Sequence, residues 1–165
     1  MKNWMMLMML AGLPMMTAQA QPALFDDEVL SIGEAIVVEG GQTRYYENVQ
    51  MRIEQNGDFK VLGGVEKPLA TITDKAVSIL ESDPLQAVLQ LKGYKPTPCY
   101  ELHQSVTRKG DTFHVALSLN VLQTLVACVQ VIAPFELNIP LDVSTLAPGQ
   151  YHVNVNGETL DFQLN

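Results

Sequence analysis

Apolar and polar residues alternate along most of this chain with a period of two, the spacing of β-strands that bury one face. The clearest example runs from Pro98 to Asn120, where two alternating halves flank Lys109-Gly110. If these two residues form the turn, Val106 lies opposite Phe113 and the apolar residues of both halves share a face. The pattern therefore predicts a long central hairpin.

A second hairpin is predicted at the end of the chain, where Asn156-Gly157 separates two further alternating segments. Asn-Gly is typical of a two-residue turn between antiparallel strands. The cross-strand pairs that this turn predicts are Tyr151 with Phe162, His152 with Asp161 and Val153 with Leu160.

The N-terminal part of the chain shows two further strand signals. The segment from Glu28 to Val38 is apolar and β-branched and ends at Gly40-Gly41. A hairpin follows around Asn56-Gly57-Asp58, and a three-residue loop there opposes unlike charges and gathers the apolar residues on one face. The pairs predicted by that loop are Ile53 with Val61 and Glu54 with Lys60. Lys67-Pro68 looks like a domain boundary.

Between these hairpins the pattern predicts further short strands. The segment 76–82 reads as a short strand, and apolar and polar residues alternate over 85–91. Residues 93–98 read as an extended connection. Residues 135–141 read as an edge strand, because this segment contains Pro140. Helical spacing at 122–129 leaves a helical turn and a loop equally open. About eight strands are expected between residues 76 and 164. We therefore predict an all-β, antiparallel, immunoglobulin-like sandwich with an N-terminal β extension.

The segment from Leu146 to Gly157, LAPGQYHVNVNG, resembles the closing hairpin of bacterial immunoglobulin-like modules in secreted proteins. The resemblance implies the sandwich architecture. Two features depart from antibody-type domains: no tryptophan follows Trp4, and Cys99 and Cys128 are closer in sequence than the crosslinked pair of such a domain. The likeness assigns no functional residue.

Residues 1–20 have the organisation of a secretory signal peptide, with Lys2, an apolar segment and Ala18-Gln19-Ala20. Pro14 interrupts the apolar segment too early for a membrane-spanning helix. We expect cleavage after Ala20 and a periplasmic or secreted protein that is not inserted in a membrane. The predicted units are then the signal peptide (1–20), an N-terminal β segment (21–66) and a sandwich domain (67–165).

Export changes the interpretation of the only two cysteines, Cys99 and Cys128. In an oxidising compartment such a pair is normally a structural disulfide. A redox role is disfavoured because activated pairs are much more closely spaced, as in C-x-x-C.

Two histidines and a glutamate raise the possibility of a metal site on the outer face of the central hairpin. In the predicted register His103 faces Ala116 and lies diagonal to His114, with Glu101 two residues away. Imidazole and carboxylate groups bind Zn²⁺ or Cu²⁺. The set lacks a fourth ligand and a spacing signature, so we interpret it as a solvated face and predict neither a metal nor another cofactor.

The charge and the motifs narrow the function. The net charge is −8 without any Lys/Arg cluster, which argues against nucleic acid and anionic membranes as partners. No nucleophile, phosphate-binding or metal motif is present, and Glu81 and Asp83 read as solvated turn residues, so we do not expect an enzyme. The leading hypothesis is a non-catalytic binding module of the bacterial cell envelope whose partner is another envelope or extracellular protein. The alternative is a secreted inhibitor of a protease or cell-wall hydrolase. The oligomeric state stays open.

Overall fold

The computed structural model describes residues 22–82, 84–122 and 127–165. The predicted signal peptide with its cleavage site, Asp83, and residues 123–126 of the segment with helical spacing lie outside the described residues. Within them the chain forms eleven strands and no helix. In chain order they are β1 Leu24–Asp26, β2 Val29–Glu39, β3 Gln42–Ile53, β4 Phe59–Lys67, β5 Thr71–Leu80, β6 Gln86–Lys95, β7 Tyr100–Lys109, β8 Thr112–Val121, β9 Ala133–Leu141, β10 Gly149–Val155 and β11 Glu158–Leu164.

The protein is an all-β sandwich preceded by a separate β-sheet. A four-stranded sheet of order β11-β10-β8-β7 faces a three-stranded sheet of order β5-β6-β9. Their inner faces form the hydrophobic core, in which every buried member lies at or after Ala70. The sandwich region thus holds seven described strands, against the eight or so expected. Among the described residues, β8 and β10 run parallel and the other strand pairs are antiparallel. The sequence pattern did not predict this parallel pair.

The first four strands form their own antiparallel sheet in the order β1-β2-β3-β4. In the hairpin of β3 and β4, Ile53 lies opposite Phe59 and not opposite Val61, so the predicted register is wrong by two residues. The cause is the position of the loop, which is centred on Asn56 and not on Gly57. The Glu54 N–H closes it by donating to the Asp58 carbonyl at 2.8 Å. Arg52 consequently faces Lys60, and the predicted Glu54–Lys60 pair is absent from the strand register.

The central hairpin is present, but its turn lies one residue later than predicted. Gly110 and Asp111 form the turn, so that Val106 pairs with Val115 and Arg108 with Phe113. Gly110 has a φ of +61°, the conformation that the first turn position of a type II′ hairpin requires and that glycine adopts without steric cost. The shift is two residues in register, so each side chain keeps its predicted face.

The C-terminal hairpin has the predicted register, with Tyr151 opposite Phe162 and Val153 opposite Leu160. Asn156 and Gly157 both have positive φ, 50° and 99°, as a two-residue type I′ turn requires.

One other prediction is corrected at the end of a strand, and one about an edge strand is confirmed. Residues 93–95 belong to β6 and are not part of an extended connection, because Gly93 and Tyr94 pair with both β5 and β9 and Lys95 pairs with β9. Gly93 is needed there, since a Cβ atom would lie 2.1 Å from the Thr71 carbonyl oxygen. The edge position expected for the strand that contains Pro140 is confirmed by its place as β9 at the end of the three-stranded sheet.

The outer face of β8 is not solvated, in contrast to the prediction. Ala116 and Ser118, which point away from the sandwich core, are fully buried because β2, β3 and β4 lie against β8. Cys99, which has the outer-face parity in the predicted hairpin register, is also buried, at 8% exposed.

Candidate functional site

The two cysteines form a disulfide bridge, with their Cα atoms 6.0 Å apart. The bridge joins the start of β7 to the segment before β9. The Leu122 N–H also donates to the Cys99 carbonyl at 2.9 Å. Beside the bridge, four apolar side chains are each more than half exposed. They are Val121, Val129, Val131 and Ile132.

The residues considered as metal ligands do not come together. His103 lies opposite Ser118 and not Ala116, His114 lies opposite Thr107, and Glu101 lies opposite Asn120. The two-residue shift in register therefore moves His103 away from the diagonal of His114. Over the described ranges, no group of three or more His, Cys, Asp or Glu side chains is arranged to hold a metal ion.

His103 instead contacts the N-terminal sheet. Its Nε2 lies 3.0 Å from Oε1 of Glu34 on β2, and its ring lies 5.9 Å from that of Tyr45 on β3. His152, in contrast, pairs with Asp161 as predicted, with 2.7 Å between Nδ1 and Oδ1. Hence one histidine joins the two sheets and the other joins neighbouring strands.

The junction between the N-terminal sheet and the sandwich is polar and partly buried. The Thr43 hydroxyl donates to Oδ1 of Asn154 at 3.1 Å. Lys67 Nζ donates to Oδ1 of Asn120 at 2.8 Å and also lies 3.0 Å from Glu47 Oε2. These contacts hold one end of strands β2, β3 and β4 against the outer face of β7, β8 and β10.

Tyr45 is fully buried at the centre of this junction. Burial raises the pKa of the Tyr45 phenol, and the nearby Glu34 carboxylate raises it further. Among the described residues, neither the Tyr45 hydroxyl nor the buried Nδ1 atom of half-buried His114 has a hydrogen-bond partner. Glu34 and Tyr45 were not predicted from the sequence, since strand periodicity does not indicate which other sheet a face will contact.

The opposite end of the N-terminal sheet exposes an apolar face. Phe25, Leu30, Met51 and Val61 form one row across all four strands. The paired Ile53 and Phe59 extend this row by a further step along β3 and β4. Phe25 and Phe59 are each 57% exposed and Val61 is 65% exposed, because the junction holds only the other end of the sheet. We call these six residues the apolar face.

One comparison with known proteins gives a match. Residues 89–164 match the family described as ORF11 beta-sandwich domain. This part of the chain is similar to that domain. The matched region extends from within β6 to the end of β11, so the apolar face lies outside it. No curated protein and no solved structure matches the chain.

The similarity to the ORF11 beta-sandwich domain agrees with the observed architecture. Of the seven sandwich strands, the matched residues contain β7 to β11 in full and most of β6. In the part of the chain that the structure describes, no helix is long and apolar enough to span a membrane.

Proposed function

We propose that this protein is a non-catalytic, exported binding module of the bacterial cell envelope, and that its apolar face binds another envelope or extracellular protein. The proposal includes removal of residues 1–20 as a signal peptide and a division into an N-terminal β unit (21–66) and a sandwich domain (67–165). Its partner surface lies in the first of these units.

The exposed apolar face is the observation that carries the proposal. Monomeric soluble proteins rarely expose contiguous apolar patches beyond about 300–600 Å², and larger ones mark interaction sites. Here the patch contains two phenylalanines, Phe25 and Phe59, each more than half exposed. Aromatic side chains of this kind supply much of the binding energy when they fill a pocket on a partner. A protein partner with an apolar surface fits this face.

Contacts with the sandwich fix the orientation of the sheet that carries the apolar face. Tyr45, His103 and the Thr43–Asn154 hydrogen bond hold one end of the N-terminal sheet, so the other end projects with a defined orientation. A preformed surface loses less conformational entropy on binding than a flexible one. We therefore assign these junction contacts the role of positioning the apolar face.

Capture of partners from an envelope extract tests the proposal. The tagged protein starting at Gln21 is compared with the double variant Phe59→Ser/Val61→Ser and with the control Leu80→Ser, which changes an exposed apolar residue on β5. We expect the captured protein to be lost with the double variant and retained with the control. Equal capture by all three would refute a role for the apolar face.

A second candidate function is inhibition of a secreted hydrolase. The exposed side chains Val129, Val131 and Ile132 beside the disulfide favour it, because a crosslinked segment enters an active-site cleft at low entropic cost. Assays against a panel of proteases and cell-wall hydrolases separate the candidates. Inhibition that is lost on reducing the Cys99–Cys128 bridge would favour the inhibitor, whereas a binding module leaves every enzyme active.

A further inference from the structure

β4 is a long edge strand with an unpaired side. In the ranges 22–82, 84–122 and 127–165 its only hydrogen-bonded neighbour is β3. It spans nine residues, Phe59–Lys67. Natural proteins usually protect such edges with short strands or prolines. The other edge of the same sheet, β1, has only three residues, and the edge strand β9 contains Pro134 and Pro140.

Between Lys60 and Glu66, β4 has no charged side chain to protect its edge. Val61, Leu62 and Val65 are all exposed, and Gly63 and Gly64 lie between them. Leu62 is an extra residue relative to β3, since Met51 pairs with Val61 and Gln50 with Gly63. A Cβ atom on Gly63 would have no neighbour within 4 Å. An apolar edge with this much open space is suited to pairing with another strand.

The order of residues in β4 is complementary to itself. In an antiparallel ladder, hydrogen-bonded residue pairs alternate with non-hydrogen-bonded pairs. A two-fold axis must relate pairs of the same type, so it passes through a residue that pairs with its own copy. An axis at Gly63 places Lys60 opposite Glu66 of the second copy and Val61 opposite its Val65. Unlike charges and β-branched residues are both favourable cross-strand pairs.

Neighbouring registers lose this complementarity. An axis at Leu62 places Lys60 opposite Gly64, and an axis at Gly64 places Leu62 opposite Glu66. Only the axis at Gly63 forms two Lys60–Glu66 pairs and two Val61–Val65 pairs at once.

We propose that two copies of this protein pair through β4 in antiparallel orientation, with Gly63 on the two-fold axis. The two N-terminal sheets then form one eight-stranded sheet, and each sandwich contacts strands β2 to β4 of its own copy. This inference rests on the backbone edge and the residue order of β4, and it shares only Val61 with the argument for the apolar face. A monomeric protein would therefore leave the proposed function standing.

Charge reversal tests the pairing in solution. The protein starting at Gln21 is followed by sedimentation equilibrium over a wide concentration range, and we expect a monomer–dimer equilibrium. Lys60→Glu and Glu66→Lys should each weaken the dimer about tenfold or more, because like charges then face each other at both pairs. The double variant Lys60→Glu/Glu66→Lys should restore the wild-type dimer.

Two features of this design separate pairing from misfolding. Lys60→Glu places a carboxylate opposite Arg52 within the same sheet, so the monomer should keep its thermal stability. Lys109→Glu makes the same charge change in an exposed position outside β4 and should leave the dimer unchanged. Failure of the double variant to restore the dimer would overturn the proposed register.

Crosslinking locates the axis. Directly paired residues in an antiparallel ladder have Cα atoms about 4.5–5.5 Å apart, within the range of a disulfide. Under mild oxidation Gly63→Cys should therefore form a covalent dimer, whereas Lys60→Cys should not. A protein that is monomeric at all concentrations, or that crosslinks equally at both positions, overturns the inference, as does a β4 edge found paired only with a strand of a different protein.

Discussion

The side chain of Asn156 pairs with the backbone of Leu117 as a neighbouring β-strand would. Its Oδ1 accepts from the Leu117 N–H at 2.9 Å, and its Nδ2 donates to the Leu117 carbonyl at 3.2 Å. The same Nδ2 donates to the Ala70 carbonyl at 2.9 Å. Asn156 lies directly after the last β10 residue paired with β8, Val155. One turn residue thus joins the C-terminal hairpin, the central strand and the segment that precedes β5.

Replacing Asn156 by aspartate removes both donors of the side-chain amide while keeping a residue type that tolerates positive φ. Two carbonyl groups lose a partner and face a carboxylate, so we expect the free energy of unfolding to fall by about 1–3 kcal/mol. Urea denaturation measures the change. Asn138→Asp, the same substitution at an exposed position on β9, should change stability by less than about 0.5 kcal/mol. Equal effects would mean that added charge, and not the lost hydrogen bonds, is responsible.

Truncation after Gly149 should abolish folding. It removes nearly all of β10 and all of β11, and with them five buried core residues, Tyr151, Val153, Val155, Phe162 and Leu164. Burial of each is worth about 1.5–3 kcal/mol, and total stability is typically about 5–15 kcal/mol. We expect degraded or aggregated protein with no cooperative thermal transition. A soluble fragment that melts cooperatively would show that the hairpin is dispensable for the core.

Removal of residues 21–66 should leave a folded sandwich. The buried core begins at Ala70, so this deletion takes no side chain from it, although it uncovers Ala116 and Ser118. Residues 68–70 must be kept, because the Ala70 N–H donates to the Leu117 carbonyl and the Leu119 N–H donates to the Pro68 carbonyl, both at 2.8 Å. Cooperative melting of the protein 67–165, at a lower temperature than the longer chain, is the expected result. A non-cooperative transition would show that the N-terminal sheet is needed for folding.

Tyr45→Phe should make the protein less sensitive to alkaline pH. Burial raises the pKa of Tyr45, so above pH about 10 the unfolded chain loses this proton while the folded state retains it. Wild-type stability therefore falls as pH rises through that range, and the phenylalanine variant lacks this contribution. At neutral pH the variant should be within about 0.5 kcal/mol of wild type or more stable, because the buried hydroxyl has no partner among the described residues.

Urea denaturation at several pH values, with tyrosinate absorbance recorded in parallel, checks this prediction. Tyr46→Phe is the matched control. It removes a hydroxyl that donates to Glu66 Oε2 at 3.2 Å on the exposed side of the same strand. If both variants change the alkaline response equally, burial of Tyr45 is not the cause.

Addition of Zn²⁺ or Cu²⁺ should not raise the melting temperature. A metal that binds only the folded state must raise it by mass action, but the hairpin register keeps His103, His114 and Glu101 apart. Thermal melts at micromolar metal test this expectation. A large rise that His103→Ala abolishes would reinstate the metal hypothesis.

The alternation of side chains along the sequence was sufficient to predict strands and faces. The C-terminal register was also predictable, because Asn156-Gly157 admits a two-residue turn with both residues at positive φ. The cysteine pairing followed from there being only two cysteines. These features are local or leave a single alternative, so the residues themselves determine them.

The alternation of side chains did not determine the positions of the other two turns. A shift of two residues in register leaves every side chain on its original face, so the period-two pattern favours Lys109-Gly110 and Gly110-Asp111 equally well. Loop hydrogen bonds, such as that from Glu54 to Asp58, select between such registers. In the observed register of the central hairpin, His103 is separated from His114 and pairs with Glu34.

The neighbours of each strand were likewise decided only in the folded chain. Strands associate through backbone N–H and C=O groups, which are the same for nearly every residue type, so a sequence pattern indicates a strand without naming its partner. Three features were therefore not predictable from the pattern. They are the parallel pairing of β8 with β10, the burial of Ala116 and Ser118 under β2–β4, and the unpaired side of β4. Local alternation therefore determined which side chains share a face of each strand, and long-range packing determined which faces are buried.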